Sequence, residues 1–310
     1  MTFGIKTSQA GVAYNRIVDI WTEADGLESF DHAWLWDHVV PLRGPVTGPA
    51  LEAWTLLAAL AAQTSRLQLG VIVTDNRLRP PAVLAKMAAT VDIISGGRLV
   101  FGIGAGGSRV QDPDALALVE RELGAAGVPV VSTGEAVGAL GEACAIVRRL
   151  WTEDEPFDHD GRWYTLRGAI CEPKPVRRPY PPILIGAAGR RSLRITAEHA
   201  DIWNCPYGGN LDEFRRLNGL LDAECRELGR DPATIQRSVQ LLVTAEPGAA
   251  GAPTLPGRSD APTTRELIPR LVDAGANHIV LGPAVGDMEH PAGWLADEVV
   301  EPVKRVLGIG

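Results

Sequence analysis

The chain has 310 residues, 45% hydrophobic and 22% charged, with a formal net charge of −8. Such a chain buries a large core without disulfide or metal staples, and its acidic balance, free of Lys/Arg runs, argues against a nucleic-acid partner. No stretch approaches 18 uninterrupted apolar residues and the four cysteines are scattered without a C-x-x-C pair, so no membrane span and no metal site are expected, and the amino terminus lacks a signal pattern, so a reducing cytoplasm is the expected location.

Eight strand-like runs follow one another along the chain: Thr2–Lys6, His32–Trp36, Leu67–Val73, Leu99–Ile103, Ile183–Gly186, Asp201–Cys205, Ile235–Thr244 and His278–Gly282. Several are nearly continuous in β-branched or large apolar residues, as strands covered on both faces must be. Helical patterns separate most of them. Ala50 to Thr64 is apolar on nearly every face. Pro80-Pro81 opens a helix that Ser95-Gly96-Gly97 closes, and further amphipathic segments run over 133–150, 211–228, 263–274 and 291–306. Strands alternating with helices predict an α/β fold, a closed (β/α)8 TIM barrel over residues 1–310 as one domain. No G-x-G-x-x-G opens the chain, which disfavours a doubly wound sheet. Between Gly107 and Pro182 lie a helix and the hairpin-like PFDHDGRWYTL, which predict an insertion after strand four. The run from Pro247 to Thr263, rich in Pro, Gly and Ala, reads either as a mobile segment that orders over a ligand or as a plain linker.

Parallel barrels bind ligands at the carboxyl ends of their strands, and four clusters fall there. Asp37 and His38 leave the second strand directly, as a tuned acid–base pair or as a structural hydrogen-bonding pair. Val71, Ile72, Val73, Thr74 and Asp75, with Arg79, form a wall beside a hydroxyl, or else an ordinary buried strand. Gly102 to Arg109, with Ala105, Gly106 and Gly107, is dense enough in glycine for a backbone to approach a flat ring or a phosphate, and equally for a tight turn. Gly186, Ala187, Ala188 and Gly189, followed by Arg190, Arg191 and a helix, form an anion cradle of the kind barrels use for phosphate. Trp34, Trp36, Trp203 and Tyr207 near strand ends are candidates to line an apolar pocket, whereas Trp54 and Trp151 read as core.

Together these segments resemble the bacterial luciferase-like family of flavin- and deazaflavin-dependent oxidoreductases. The resemblance rests on WLWDHV, RPPAVLAKMAATVDIISGGRLVFGIGAG, RRLWTED with HDGRWYTL, PPILIGAAG and AEHADIWN, and so covers nearly the whole chain. It implies a (β/α)8 barrel with insertions. It implies that Asp37 and His38 lie beside the ring of coenzyme F420 as the catalytic pair, His38 transferring the proton and Asp37 orienting it. Val71-Ile72 matches a strand-three bulge, often a cis peptide, behind the ring. Thr74, Ala105, Gly106 and Gly107 match further ring or ribityl contacts, and Gly186 to Gly189 match the phosphate loop. Sugar-phosphate dehydrogenases of this family carry a Glu after the strand-four glycine; this chain has Gly107 there, so proton transfer falls to His38 or to bound substrate.

The resemblance therefore implies an F420-dependent oxidoreductase passing a hydride to or from a small organic molecule. The alternatives are an FMN-dependent monooxygenase and a non-catalytic flavin-binding protein. A homodimer through helices near the second and third strands is a further implication, and the loops at 108–133 and 247–263 are the expected specificity segments.

Overall fold

The computed structural model describes residues 1–41, 45–106, 113–246, 258–284, 286 and 288–309, with the backbone alone at 113–116. The first half runs β1 (Thr2–Lys6), α1 (Tyr14–Asp25), β2 (His32–Leu35), α2 (Ala53–Gln63), β3 (Gln68–Val71), β4 (Thr74–Asp75), α3 (Pro81–Ser95) and β5 (Leu99–Gly104). Then come α4 (Pro113–Ala125), α5 (Thr133–Thr152), β6 (Phe157–Asp160) and β7 (Thr165–Ala169). The second half continues with β8 (Ile183–Gly186), α6 (Arg190–His199), β9 (Ile202–Cys205), α7 (Leu211–Glu227) and β10 (Gln236–Thr244). It ends with β11 (Arg258–Asp260), α8 (Ala261–Asp273), β12 (His278–Pro283), α9 (Pro291–Leu295), a π-helical turn and α10 (Glu301–Leu307).

Eight strands pair in parallel in the order β1, β2, β3, β5, β8, β9, β10, β12, and β12 pairs back onto β1, closing the barrel. Strand alternation divides the buried residues into two sets. Outward side chains such as Phe3, Leu35, Leu69, Phe101, Ile185, Trp203 and Leu281 pack against the helices in one large cluster. Inward side chains form a second, smaller cluster of Trp34, Ile72, Val100, Leu184, Ile202 and Val280 inside the barrel.

Helix ends follow the sequence signals. Glu52 caps α2 by accepting from the Trp54 and Thr55 amides, Ser132 and Glu135 make a capping box on α5, and α3 ends at Gly96 in the left-handed conformation. At the amino-terminal rim, Arg98 donates to the carbonyls of Ser95, Leu67, Ala61 and Thr64 and to the Thr64 hydroxyl, tying α2 and α3 to the strands between them.

Two departures from the sequence reading bear on the site, at the third strand and at the end of the Pro/Gly-rich run, while the insertion after strand four stands where the sequence put it. The single strand expected over 67–73 is broken into β3 and β4 by a cis peptide between Ile72 and Val73. Gly70 faces Val100 while Thr74 faces Ile103, so the β3–β4 edge carries one residue more than β5 over this stretch, a bulge. Between β5 and β8 the chain adds α4 and the antiparallel β6–β7 hairpin to the barrel helix α5. Most of the Pro/Gly-rich run lies outside the described residues. Its final residues form β11, parallel to β10, and the start of α8, which Asp260 caps. No helix among the described residues is long and apolar enough to cross a membrane, and all four cysteines are buried and free.

Candidate active site

The carboxyl rim gathers the exits of β1, β2, β3–β4, β5 and β8. Gln9 fixes the β2 exit: its amide donates to the Trp36 carbonyl at 2.6 Å and its oxygen accepts from the Trp36 amide. Asp37, next in sequence, is buried and accepts both terminal nitrogens of Arg79, at 2.8 and 3.0 Å, and the Asp75 amide at 3.0 Å. Burial pushes the Asp37 carboxyl above its ordinary range, and the Arg79 guanidinium pulls the other way. Arg79 also reaches the Glu52 carboxylate that caps α2.

This corrects the expected pairing. Asp37 does not orient His38, because its oxygens are committed to Arg79 and to the β4 backbone. The partner of His38 is Glu122, on α4: His38 Nδ1 lies 2.8 Å from Glu122 Oε2. Glu122 is buried and also accepts the Val39 amide at 2.5 Å. The His38 ring keeps some exposure and meets the Trp36 indole edge-on, with centroids 5.1 Å apart. A histidine held at Nδ1 by a buried carboxylate keeps Nε2 for proton exchange, and that is the chemistry the pair can perform.

The bulge shifts the expected wall by one position. Val71 is fully buried in the outer cluster, facing the helices, and Ile72 is buried in the barrel interior. The residue left half-buried at the mouth is Val73. It sits against bare backbone: a Cβ on Gly104 would lie 2.7 Å from Val73 Cγ2, and one on Gly186 would lie 3.0 Å from it. Gly102 leaves similar room a layer deeper, where a Cβ would meet the Val71 carbonyl at 1.9 Å. Thr74 is corrected too. It is fully buried and accepts from the Trp54 indole at 3.1 Å, so its hydroxyl faces α2 rather than the mouth.

Beyond β5, Ala105 is partly buried, and Gly106 takes a φ of 69° against the Asp75–Arg77 ion pair, where any Cβ would overlap the guanidinium. Gly107, with Ser108 and Arg109, lies outside the described residues. In the loop after β8, the Ala187 amide donates to the Asn204 carbonyl and the Gly189 amide to the Ser192 hydroxyl. Those two amides are therefore used within the protein, and the first turn of α6 remains as the anion-attracting end. Arg190 is swung outward onto Glu224 and Glu227, not toward the loop.

Of the tryptophans proposed for a pocket, Trp203 points outward, donating to the Ala187 carbonyl and stacking on Phe214, and Trp34 is buried inside the barrel. Only Trp36 reaches the mouth. Trp54 and Trp151 belong to the core. Among the described residues no cluster of His, Cys, Asp and Glu could hold a metal ion.

Sequence reasoning passed over Glu122 and Lys6, and it named Val73 only as one of five residues in the wall. Glu122 lies 84 residues from His38, and only the fold brings them together. Lys6 ends β1 and points into the barrel, where its ammonium donates to Gln240 Oε1 at 2.7 Å. Gln240 in turn donates to Asn204, and Asn204 to Ser238, which also bonds His278. His278 stacks on His32 at 3.9 Å; burial drives His278 down to about 3 and His32 below the ordinary imidazole range, so both are neutral. An inward Lys after a Gly-Ile strand pattern was the available signal.

A tricyclic isoalloxazine-like ring needs a flat apolar wall. Val73, seated on the backbone of Gly104 and Gly186, supplies it, and the α6 amino terminus supplies an anchor for a phosphate, so the residues present fit such a group.

Residues 1–255 match the family model described as luciferase-like monooxygenase. The chain is 30% identical over 254 residues to the F420-dependent glucose-6-phosphate dehydrogenase of Kineococcus radiotolerans, spanning 81% of this chain and 70% of that one. It is also 30% identical over 244 residues to a phthiodiolone/phenolphthiodiolone dimycocerosates ketoreductase of Mycobacterium sp. (strain JLS), spanning 77% of this chain but only 60% of that protein's length. Among solved structures, an F420-dependent secondary alcohol dehydrogenase in complex with an F420-acetone adduct superimposes with a TM-score of 0.80 at 19% identity, covering 97% of this chain and 98% of the other.

Proposed function

From the chain's membership in the luciferase-like monooxygenase family of oxidoreductases, we propose that it is a coenzyme F420-dependent oxidoreductase acting on a small carbonyl or alcohol compound. The observation that carries this reading is His38, partly exposed at the β2 exit and held at Nδ1 by buried Glu122, on the same rim of the barrel as Val73. When bound, the deazaflavin supplies hydride transfer. Val73, packed on Gly104 and Gly186, would hold its ring, with Ala105 and Gly106 at its edge and the first turn of α6 near its phosphate. His38 exchanges the substrate proton through Nε2, and Glu122 fixes the orientation of the ring. Asp37 locks the β2 exit to Arg79 and the β4 backbone, which keeps His38 in register with Val73.

Parallel titrations of the purified protein with F420 and FMN test the reading. Micromolar binding of F420, with hydride exchange against short ketones or secondary alcohols, supports it. Tight binding of FMN alone, with substrate-dependent oxygen uptake, replaces it by the monooxygenase reading, which the description of the matching family model favours. A homodimer through the α2–α3 surface belongs to the same proposal. Val83, Ile93 and Ile94 of α3 are exposed there, more apolar surface than a solvent-facing helix ordinarily shows, and light scattering checks the mass.

A further inference from the structure

Among the described residues Lys6 is a cation without a counter-ion. Its ammonium has three protons to donate, and among the described residues the only acceptor it meets is Gln240 Oε1. No carboxylate among the described residues pairs with it; Gln240 leads on to neutral Asn204, Ser238 and His278, and the strand beside it carries the apolar Trp34. Burying a charge without a partner is costly, so such a group persists where a ligand supplies the opposite charge. A second donor lies on the neighbouring strand. Lys6 is in register with Trp34, and Trp36 is the next inward position beyond it; the Trp36 indole N–H is buried and has no acceptor among the described residues.

We propose that Lys6 and Trp36 form a carboxylate subsite in the barrel mouth, so that the substrate is an oxo or hydroxy acid. The proposal rests on the oxidoreductase reading above and adds the substrate class. One cation beside one neutral donor matches a monoanion with two oxygens; a phosphate dianion would leave charge uncompensated. A short acid suits the site, because the Trp36 indole meets the His38 ring edge-on with centroids 5.1 Å apart, so the subsite adjoins the proton-exchanging residue. Burial has already lowered the Lys6 ammonium to about 8, and a bound carboxylate would draw it back up.

The test uses calorimetry on protein loaded with whichever of F420 or FMN it binds. Pyruvate, 4-methyl-2-oxopentanoate and benzoylformate are each compared with their primary amides, and inorganic phosphate is titrated alongside. At least one acid should bind tenfold or more tightly than its amide. That ratio should collapse to within twofold in Lys6→Met, persist in Lys6→Arg and shrink in Trp36→Phe. Equal binding of every acid and amide, absence of binding by all three acids, or discrimination that survives Lys6→Met overturns the subsite. Phosphate binding more tightly than every acid overturns the assignment to a carboxylate. Should Lys6→Met fail to fold, Lys6→Gln and Trp36→Phe carry the same comparison. Failure of both cofactors to bind defeats the oxidoreductase reading, whereas a bound cofactor without acid preference defeats the subsite alone.

Discussion

His38 Nδ1 and Glu122 Oε2 stand 2.8 Å apart, joining the exit of the second strand to a helix outside the minimal barrel. The carboxylate also accepts the Val39 and Val40 amides, so it is held before any ligand arrives and presents the imidazole in one orientation. His38→Ala should cut kcat by roughly 10²-fold or more if Nε2 exchanges the substrate proton. Glu122→Gln, which keeps the hydrogen bonds to the two amides but removes the charge, should lower kcat by about tenfold with KM little changed. A kcat unmoved by Glu122→Gln would show that the carboxylate merely packs there.

The Asp37–Arg79 pair has a structural consequence that is separable from catalysis. Arg79→Met leaves a buried carboxylate with only the Asp75 amide, which should cost about 3–5 kcal/mol in denaturant unfolding. Arg79→Lys retains the charge but not the two-pronged geometry, and should fall between. The double variant Asp37→Asn with Arg79→Met should recover some of the loss, since it removes both charges. Stability in Arg79→Met equal to wild type would contradict the role given to this pair.

Much of this arrangement was legible before the fold was known, and the exceptions share one cause. Alternating strands and helices announced the barrel, because covering a parallel sheet on both faces imposes long apolar runs that survive in the sequence. Proline at the start of α3 and glycine at its end marked that helix for local reasons. What could not be read is anything set by a one-residue change of phase. The bulge at Ile72–Val73 turns Thr74 toward α2 and hands the mouth to Val73, although Val71 and Ile72 look identical in pattern. Asp37 and His38 are adjacent in sequence, yet they face different partners, since successive residues leaving a strand point opposite ways. Glu122 carries no local signal, and Lys6 only its inward place on a strand, because their meaning comes from contacts across the fold.

The mouth itself can be probed by filling it. Gly104→Ala sets a methyl 2.7 Å from Val73 Cγ2, and a short branched side chain on a backbone pinned by β4–β5 pairing has little room to retreat. Val73 should be pushed upward into the volume assigned to the ring, weakening F420 or FMN binding at least tenfold in a fluorescence titration. Arg98→Ala, at the opposite rim, should cost about 2–4 kcal/mol in stability by leaving several carbonyls unpaired, with cofactor affinity unchanged. Equal loss of affinity in both variants would argue against Val73 as the floor of the site.

Lys6 gives a prediction in which stability and function oppose one another. Its ammonium is lowered from 10.5 to about 8 in the folded protein by burial. Below pH 8 both folded and unfolded chains hold this proton, and the folded state bears the full burial penalty. Between about 8 and 10.5 the unfolded chain binds the proton and the folded chain does not, so stability rises with pH across that window. The penalty amounts to at most about 3 kcal/mol, taking 1.36 kcal/mol for each pKa unit. Lys6→Met should therefore be more stable than wild type at pH 7, and the gap should narrow as the pH approaches 10. Adding an oxo acid at pH 7 should stabilise the wild type and leave Lys6→Met unmoved, because only the ammonium gains a counter-ion. A gap of constant size from pH 7 to 10 would mean that Lys6 meets water or an anion in the free protein, and that the barrel mouth does not hold it unpaired.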